Sequence, residues 1–289
     1  MDQRIIDLYD RFTHGTGTRR EFLDRLAVLA GGVAAAGAVL PLLESNYALA
    51  DLVPPDDARL VAETVGLAAG TATVSGYLVR PAGGGTHPAV VVIHENRGLN
   101  PHIKDVARRV ALEGFVAFAP DLLSPVGGTP PDPDQAREMI GKLQAPEVVG
   151  WLRGVVAALR ARPEVGGKVG GKVGALGFCW GGGMANALAV AEPGLDAAVV
   201  YYGRQPEAAQ VSAIRAPLLL HYAGLDERID AGIPDFEAAL KSSGKTYELY
   251  LYPGVNHAFN NDTGGARYDK AAAELAWGRS VAFLKRYLG

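Results

Sequence analysis

The chain has 289 residues, 48% of them hydrophobic and 20% charged, with a formal charge of −3. That is enough apolar sequence for a large core, and it carries neither a basic block suited to nucleic acid nor an acidic solvating tail. A single cysteine, Cys179, excludes an internal disulfide framework and any paired-cysteine redox or zinc motif.

The first fifty residues differ from the rest. Thr18-Arg19-Arg20-Glu21-Phe22-Leu23 is a twin-arginine sequence, and the eighteen residues from Leu26 to Leu43 carry no charge. Ala48-Leu49-Ala50 then precedes Asp51. Twin arginines, a mildly apolar stretch and an A-x-A site match a Tat export leader, which places the mature protein in the periplasm. Gly31-Gly32, Gly37 and Pro41 make the same stretch a poor transmembrane span, so no stable span is expected. The alternative is a retained helical arm on a cytoplasmic protein. MDQRIIDLYDRF at the start has helical periodicity and three acids, which suits an arm better than a signal. The chain therefore divides into residues 1–50, leader or arm, and residues 51–289, a folded domain.

From residue 61 short β-rich runs alternate with helical stretches. Runs 61–65 and 72–80 predict a hairpin, and 89–93 is a continuous apolar run expected of a strand buried on both faces. A helix over 103–112, a strand over 115–119, a helix over 148–160, a strand over 173–178 and a helix over 182–191 follow. Strands are next predicted at 197–201, 218–222 and 247–252, with helices at 233–241 and 271–287. Helices between strands imply βαβ units, a mostly parallel central sheet and helices on both faces. A leading antiparallel hairpin points to the α/β-hydrolase fold. Residues 124–146 hold five prolines and no clear strand, and are expected to cap the site. VGGKVGGKVG (165–174) reads as a surface turn, because it lacks the spacing of a phosphate loop.

In a parallel α/β sheet, chemistry gathers at the carboxyl ends of the strands. The polar residues there are His94-Glu95-Asn96, Asp121, Cys179, Tyr202, Asp226 and His257. Gly177-Phe178-Cys179-Trp180-Gly181 has the spacing of the G-x-S-x-G nucleophile elbow, with sulfur in place of oxygen. Cys179, Asp226 and His257 follow the chain order of a hydrolase triad, nucleophile, acid and base. A lone cysteine or a capping aspartate is the bland alternative at two of these positions, with Glu227 and Asp230 as substitutes for the acid. Asn96 and Trp180 stand where two backbone N–H groups would form an oxyanion hole. Glu95 has as its bland reading a solvent-facing or Arg97-paired residue. Tyr202 and Phe259 are candidate pocket walls. His14 lies in the leader and receives no role.

These residues resemble the dienelactone hydrolase family from about residue 60 to the C-terminus. The resemblance rests on HEN (94–96), AFAPDL (117–122), GFCWGG (177–182), YYG (201–203), the Gly224-x-Asp226 turn and NHAF (256–259). The intervals of 47 residues from Cys179 to Asp226 and 31 from Asp226 to His257 also suit it. It implies a carboxymethylenebutenolidase-like esterase with a Cys-His-Asp triad and a thioester acyl-enzyme. It also implies that Glu95 keeps the resting thiol neutral and then accepts its proton. One position departs: the family's carboxylate-binding arginine four residues after the histidine is Asn261 here, while Arg97 and Arg204 stand elsewhere. The resemblance therefore implies small esters or lactones broadly, with Arg97 a candidate substrate contact. The other readings are a general carboxylesterase or thioesterase on the same triad, or a silent binding protein on the hydrolase fold. No nucleotide, metal or flavin motif occurs, so no cofactor or metal is expected; the expected partner is a small molecule and the default state a monomer.

Overall fold

The computed structural model describes residues 1–15, 17–47, 51–166 and 171–289. Ala48-Leu49-Ala50 and residues 167–170 of the VGGKVGGKVG turn lie outside the described residues. The chain opens with three helices, α1 (Gln3–His14), α2 (Arg19–Ala30) and α3 (Val33–Val39). An antiparallel hairpin of β1 (Leu60–Ala69) and β2 (Ala72–Pro81) follows, then β3 (Ala89–Ile93), α4 (Pro101–Leu112) and β4 (Val116–Pro120). Next come α5 (Pro133–Lys142), α6 (Ala145–Arg160), β5 (Val173–Phe178), α7 (Trp180–Ala191) and β6 (Ala197–Tyr201). The order closes with β7 (Leu218–Ala223), α8 (Glu227–Asp230), α9 (Ile233–Ser242), β8 (Tyr247–Tyr252) and α10 (Lys270–Leu288).

The eight strands form one sheet in the order β1-β2-β4-β3-β5-β6-β7-β8. β2 is antiparallel to both neighbours, and β4 through β8 run parallel. Apolar runs explain the centre: every residue of β3, β4, β5, β6 and β7 is buried. Such strands need cover on both faces. One face packs α6, α7 and α9 through residues such as Trp151, Leu152, Leu188 and Phe236. The other packs α4 and α10 through Val106, Val110, Phe283 and Leu284. The parallel arrangement brings the carboxyl ends of the six parallel strands to one edge, where the polar residues singled out above gather.

The N-terminal helices form a small core of their own, with Ile5, Tyr9, Phe12, Phe22, Leu26 and Leu43 buried together. Phe12 stacks on Phe22 at 4.7 Å. Thr18 and Glu21 make a capping box that starts α2, so the twin arginines sit in its first turn, where Arg19 pairs with Glu44 and Asp134. The uncharged stretch is not one helix. Gly31 and Gly32 adopt φ of 86° and 138°, which break it between α2 and α3. Among the described residues no single helix is long and apolar enough to cross a membrane; α2 and the segment Val33–Leu42 reach that length only together, bent by 104°.

This arm lies over the carboxyl edge of the sheet. Gln3 donates to Asn256, Arg137 to the Phe12 carbonyl at 2.9 Å, and Asn96 to the Thr13 carbonyl at 2.8 Å. Its inner surface is thus largely polar and points at the loops that carry the candidate site.

Candidate active site

Cys179 sits between the end of β5 and the first residue of α7, with φ 55° and ψ −118°. A non-glycine residue is strained there, and strain of this kind is sustained only where the surroundings fix it. Packing around the turn does so. A Cβ on Gly177 would lie 2.1 Å from the Gly181 carbonyl oxygen, and one on Gly181 would lie 2.3 Å from that of His94. Gly182 and Gly203 are pressed together in the same way. Gly181→Ala is therefore expected to destabilise the fold by about 1–3 kcal/mol, the usual cost of overpacking. Thermal unfolding checks this, and an unchanged midpoint would count against the close approach.

The helix that follows presents its unpaired first-turn N–H groups to the sulfur side of the turn. Trp180 occupies the first helical position, and its ring stacks on His94 at 5.4 Å. Trp180 and Asn96 both line the large cavity beside Cys179. His94 is a packing residue: its Nδ1 faces the Glu95 carbonyl, its Nε2 receives the Leu122 N–H, and burial holds it below its ordinary pKa. Asp121 accepts from Leu123 N, Thr129 N and Thr129 Oγ1, which fastens the loop that leads into α5.

Asp226 follows β7 and His257 follows β8. Asp226 Oδ2 and His257 Nδ1 are 2.5 Å apart, both side chains almost fully buried. The helix-cap alternative also holds, because Oδ1 of Asp226 accepts from Ile229 N at the start of α8. One carboxylate thus fixes its own orientation with one oxygen and the imidazole with the other. Nδ1 must carry a hydrogen to meet a carboxylate, which leaves Nε2 as the working nitrogen. That atom is buried without a hydrogen-bond partner and belongs to the wall beside Cys179.

The thiol has a second imidazole against it. His14 Nε2 lies 3.1 Å from Cys179 Sγ, and the His14 and His257 rings meet edge to face at 4.5 Å. One nitrogen of each imidazole and Sγ all lie within 4.8 Å of one another. His14 Nδ1 faces the Asp10 carbonyl at 2.9 Å and Asp10 Oδ1 at 3.0 Å, so it too carries a hydrogen and aims Nε2 at sulfur. Burial raises the Cys179 pKa, but the His14 and His257 charges outweigh it and bring the thiol down to about 6. Against the opposing effect of burial, the thiolate charge holds His14 above its ordinary value, and Asp226 followed by the thiolate holds His257 well above its own. Charge pairing accounts for this cluster, and no metal is assigned to it.

Since only the thiolate reacts with alkylating agents, the rate of alkylation should rise as pH climbs through about 6 and level off by neutrality. A midpoint at or above about 8.5, the value of a free thiol, would contradict the pairing.

Other expectations place differently. Glu95 is buried, and its Oε2 accepts from Asn261 Nδ2 at 2.8 Å, so the residue in the family arginine's place ties it down. The hydrogen-bond partner of the thiol is His14, and Glu95 reaches it only as a fellow wall of a 30 Å³ void. Arg97 is engaged by Asp134 at 3.0 Å and the Pro133 carbonyl at 2.8 Å, and it lines that void and a neighbouring one but not the main cavity. Tyr202 lines the main cavity with φ 39°, its ring 4.8 Å from His257. Phe259 is fully buried behind it at 5.5 Å and belongs to the core.

The main cavity has a volume of about 960 Å³. Cys179, Tyr202 and His257 line it from the sheet edge, Arg137 and Ile140 from α5, and Thr13, His14 and Arg19 from the arm. The proline-rich segment therefore does cap the site, and it contains α5, a helix absent from the sequence reading. Asp10, His14 and Arg228 are the site residues that reading missed. The available signal was Asp10 and His14 four apart on one face of an amphipathic helix.

A mostly parallel sheet with helices on both faces, a strained cysteine turn after β5 and an acid–imidazole pair at later strand ends are the arrangement of the α/β-hydrolase fold. A crystal structure of a "Putative Dienelactone Hydrolase" from Klebsiella pneumoniae superposes with a TM-score of 0.70 at 30% identity, covering 79% of this chain and 99% of that one. The profile of the dienelactone hydrolase family matches residues 74–288, and the chain belongs to that family. A "Putative carboxymethylenebutenolidase" of Saccharolobus solfataricus is 38% identical over 230 residues, 68% of this chain and 89% of that protein. A "Probable 2-oxo-3-(5-oxofuran-2-ylidene)propanoate lactonase" of Bradyrhizobium is 33% identical over 224 residues, 73% of this chain and 89% of that protein. A separate profile, YqhI-like, matches residues 1–32.

Proposed function

We propose that the protein hydrolyses small carboxylic esters or lactones through a thioester on Cys179. The observation that carries this reading is the 2.5 Å contact between Asp226 and His257, whose Nε2 is buried without a hydrogen-bond partner in a residue that lines the cavity with a thiol on a strained elbow. The thiolate attacks the acyl carbonyl, and the N–H groups of Trp180 and Asn96 receive the developing oxyanion. The His257 imidazolium protonates the departing alkoxide. Neutral His257 then takes a proton from water, the water oxygen adds to the thioester, and the acid leaves as the thiolate returns. The names of the relatives, carboxymethylenebutenolidase and lactonase, favour a cyclic or enol ester. Asn261 in place of the arginine, tied to Glu95, favours a substrate range wider than dienelactone.

The test is turnover of a short-chain aryl ester and of a dienelactone by the purified protein. Hydrolysis of either supports the reading, and the ratio of the two kcat/KM values reports how far Asn261 changes the preference. Failure with both, and with simple thioesters, would refute it.

A further inference from the structure

We propose that the N-terminal arm is a working part of the active site, and that His14 is a catalytic residue which, backed by Asp10, stabilises the Cys179 thiolate from the side opposite Asp226–His257. This rests on the hydrolase reading above and adds a second acid–imidazole pair to it. The sulfur then lies in a row of alternating charge: Asp10, His14, Cys179, His257, Asp226.

The contact is built. His14 is the last residue of α1, and the three residues that precede or support it are held from the body of the protein. Asn96 donates to the Thr13 carbonyl, Arg137 to the Phe12 carbonyl, and Arg228 reaches Asp10 at 3.6 Å. Arg228 also lies 3.8 Å from Asp226, so one guanidinium bridges the carboxylates behind the two imidazoles. Gly15 ends the helix where a Cβ would fall 2.5 Å from the Arg11 carbonyl oxygen. The 3.1 Å contact to Sγ is thus fixed on both sides of the histidine, and Thr13, His14, Gly15, Gly17, Thr18 and Arg19 line the cavity as a wall rather than a plug through it.

Other ionisable groups near the sulfur are already engaged or cannot supply the charge. Glu95 is held by Asn261, and Arg97 by Asp134. Tyr202 is kept neutral by burial, and Arg267 lies over the Tyr9 ring at 4.9 Å. Arg228 lies behind the imidazoles, against His257 Nδ1 at 3.4 Å and the two carboxylates. The two imidazoles are the groups that touch the sulfur side of the site.

The step balances with both imidazoles protonated at rest. The thiolate forms the C–S bond, the C–O bond breaks, and His257 gives its proton to the alkoxide. Water then loses a proton to His257, its oxygen bonds to the acyl carbon, and the C–S bond returns its electron pair to sulfur. His14 keeps its proton throughout. It stabilises sulfur as nucleophile in the first half and as leaving group in the second.

The experiment compares wild type, His14→Gln, His14→Ala, Asp10→Asn and Cys179→Ala by iodoacetamide alkylation across pH and by kcat and KM on an aryl ester, with circular dichroism confirming the fold. The inference requires the thiol midpoint in both His14 variants to rise by about one unit or more, as expected on removing an adjacent opposite charge. The acid limb of kcat/KM should rise with it, and Asp10→Asn should move both less in the same direction. Midpoints that stay at the wild-type value, or a kcat that increases because an obstruction is gone, overturn it. A change in KM alone, with the midpoint fixed, also overturns it, because a mere wall would act that way. More than a tenth of wild-type kcat in Cys179→Ala would refute the hydrolase mechanism itself, while the alkylation midpoints in the other variants still report on the His14 contact.

Discussion

Cys179→Ala is expected to lower kcat by at least about two orders of magnitude, with KM within a few-fold of wild type. The substitution removes one atom from a buried elbow whose backbone strain and glycine contacts do not depend on the sulfur. Its effect should therefore fall on chemistry. Trp180, Asn96 and the imidazoles stay in place, so residual catalysis from oxyanion and binding contacts is expected, well above the rate in water. Steady-state kinetics on an aryl ester decides it. A variant that keeps more than a tenth of wild-type kcat would show that the nucleophile lies elsewhere.

Asp226→Asn should have the second-largest effect, about 10²- to 10⁴-fold in kcat/KM. An amide keeps the shape and the cap to Ile229 N but loses the charge facing His257 Nδ1 at 2.5 Å. If the amide NH₂ turns toward the ring, Nδ1 becomes the acceptor and Nε2 takes the hydrogen, which is the wrong tautomer for a base. Asp226 and the thiolate are the leading charges that raise His257, so the variant should also lose the upper plateau of the pH–rate profile at lower pH than wild type. The sign follows from the acid role in acylation: a less basic imidazole surrenders its proton earlier as pH rises. A loss below threefold, with an unchanged alkaline limb, would contradict the dyad.

How much of this could be read from the sequence depended on where each element finds its partners. The apolar runs at 89–93, 173–178 and 197–201 coincide with β3, β5 and β6, because a strand buried on both faces has no polar residue to obscure its ends, while 247–252 coincides with the half-buried edge strand β8. Helix α7 begins two residues before the sequence reading, at Trp180, since glycines at 181–183 lower helix propensity while close packing against Gly203 demands them. Helix α5 was hidden among five prolines, although Asp132 as N-cap with Pro133 at the first turn is itself a start signal. Cys179, Asp226 and His257 were legible because each stands at a strand end with its own turn chemistry.

The arm was not legible in the same way. Its periodicity announces a helix, but the partner of His14 is 165 residues away, and nothing local to MDQRIIDLYDRFTH says which surface will receive it. The place of Glu95 was hidden for a related reason. Asn261 was visible as a departure, yet that it ties down Glu95 is a contact across the fold. Phe259 illustrates the converse: an aromatic beside a catalytic loop faces the core when Tyr202 already fills the wall.

The most direct test of the central claim is the mass of the protein caught during turnover. An activated aryl ester is mixed with enzyme, quenched in acid within the first turnovers, and the digest is mapped. The account predicts one acyl group on the peptide that carries Cys179, labile to hydroxylamine as a thioester is, and none in Cys179→Ala. Rapid turnover with the acyl group on another residue, or on none under conditions where release is slow, would contradict it.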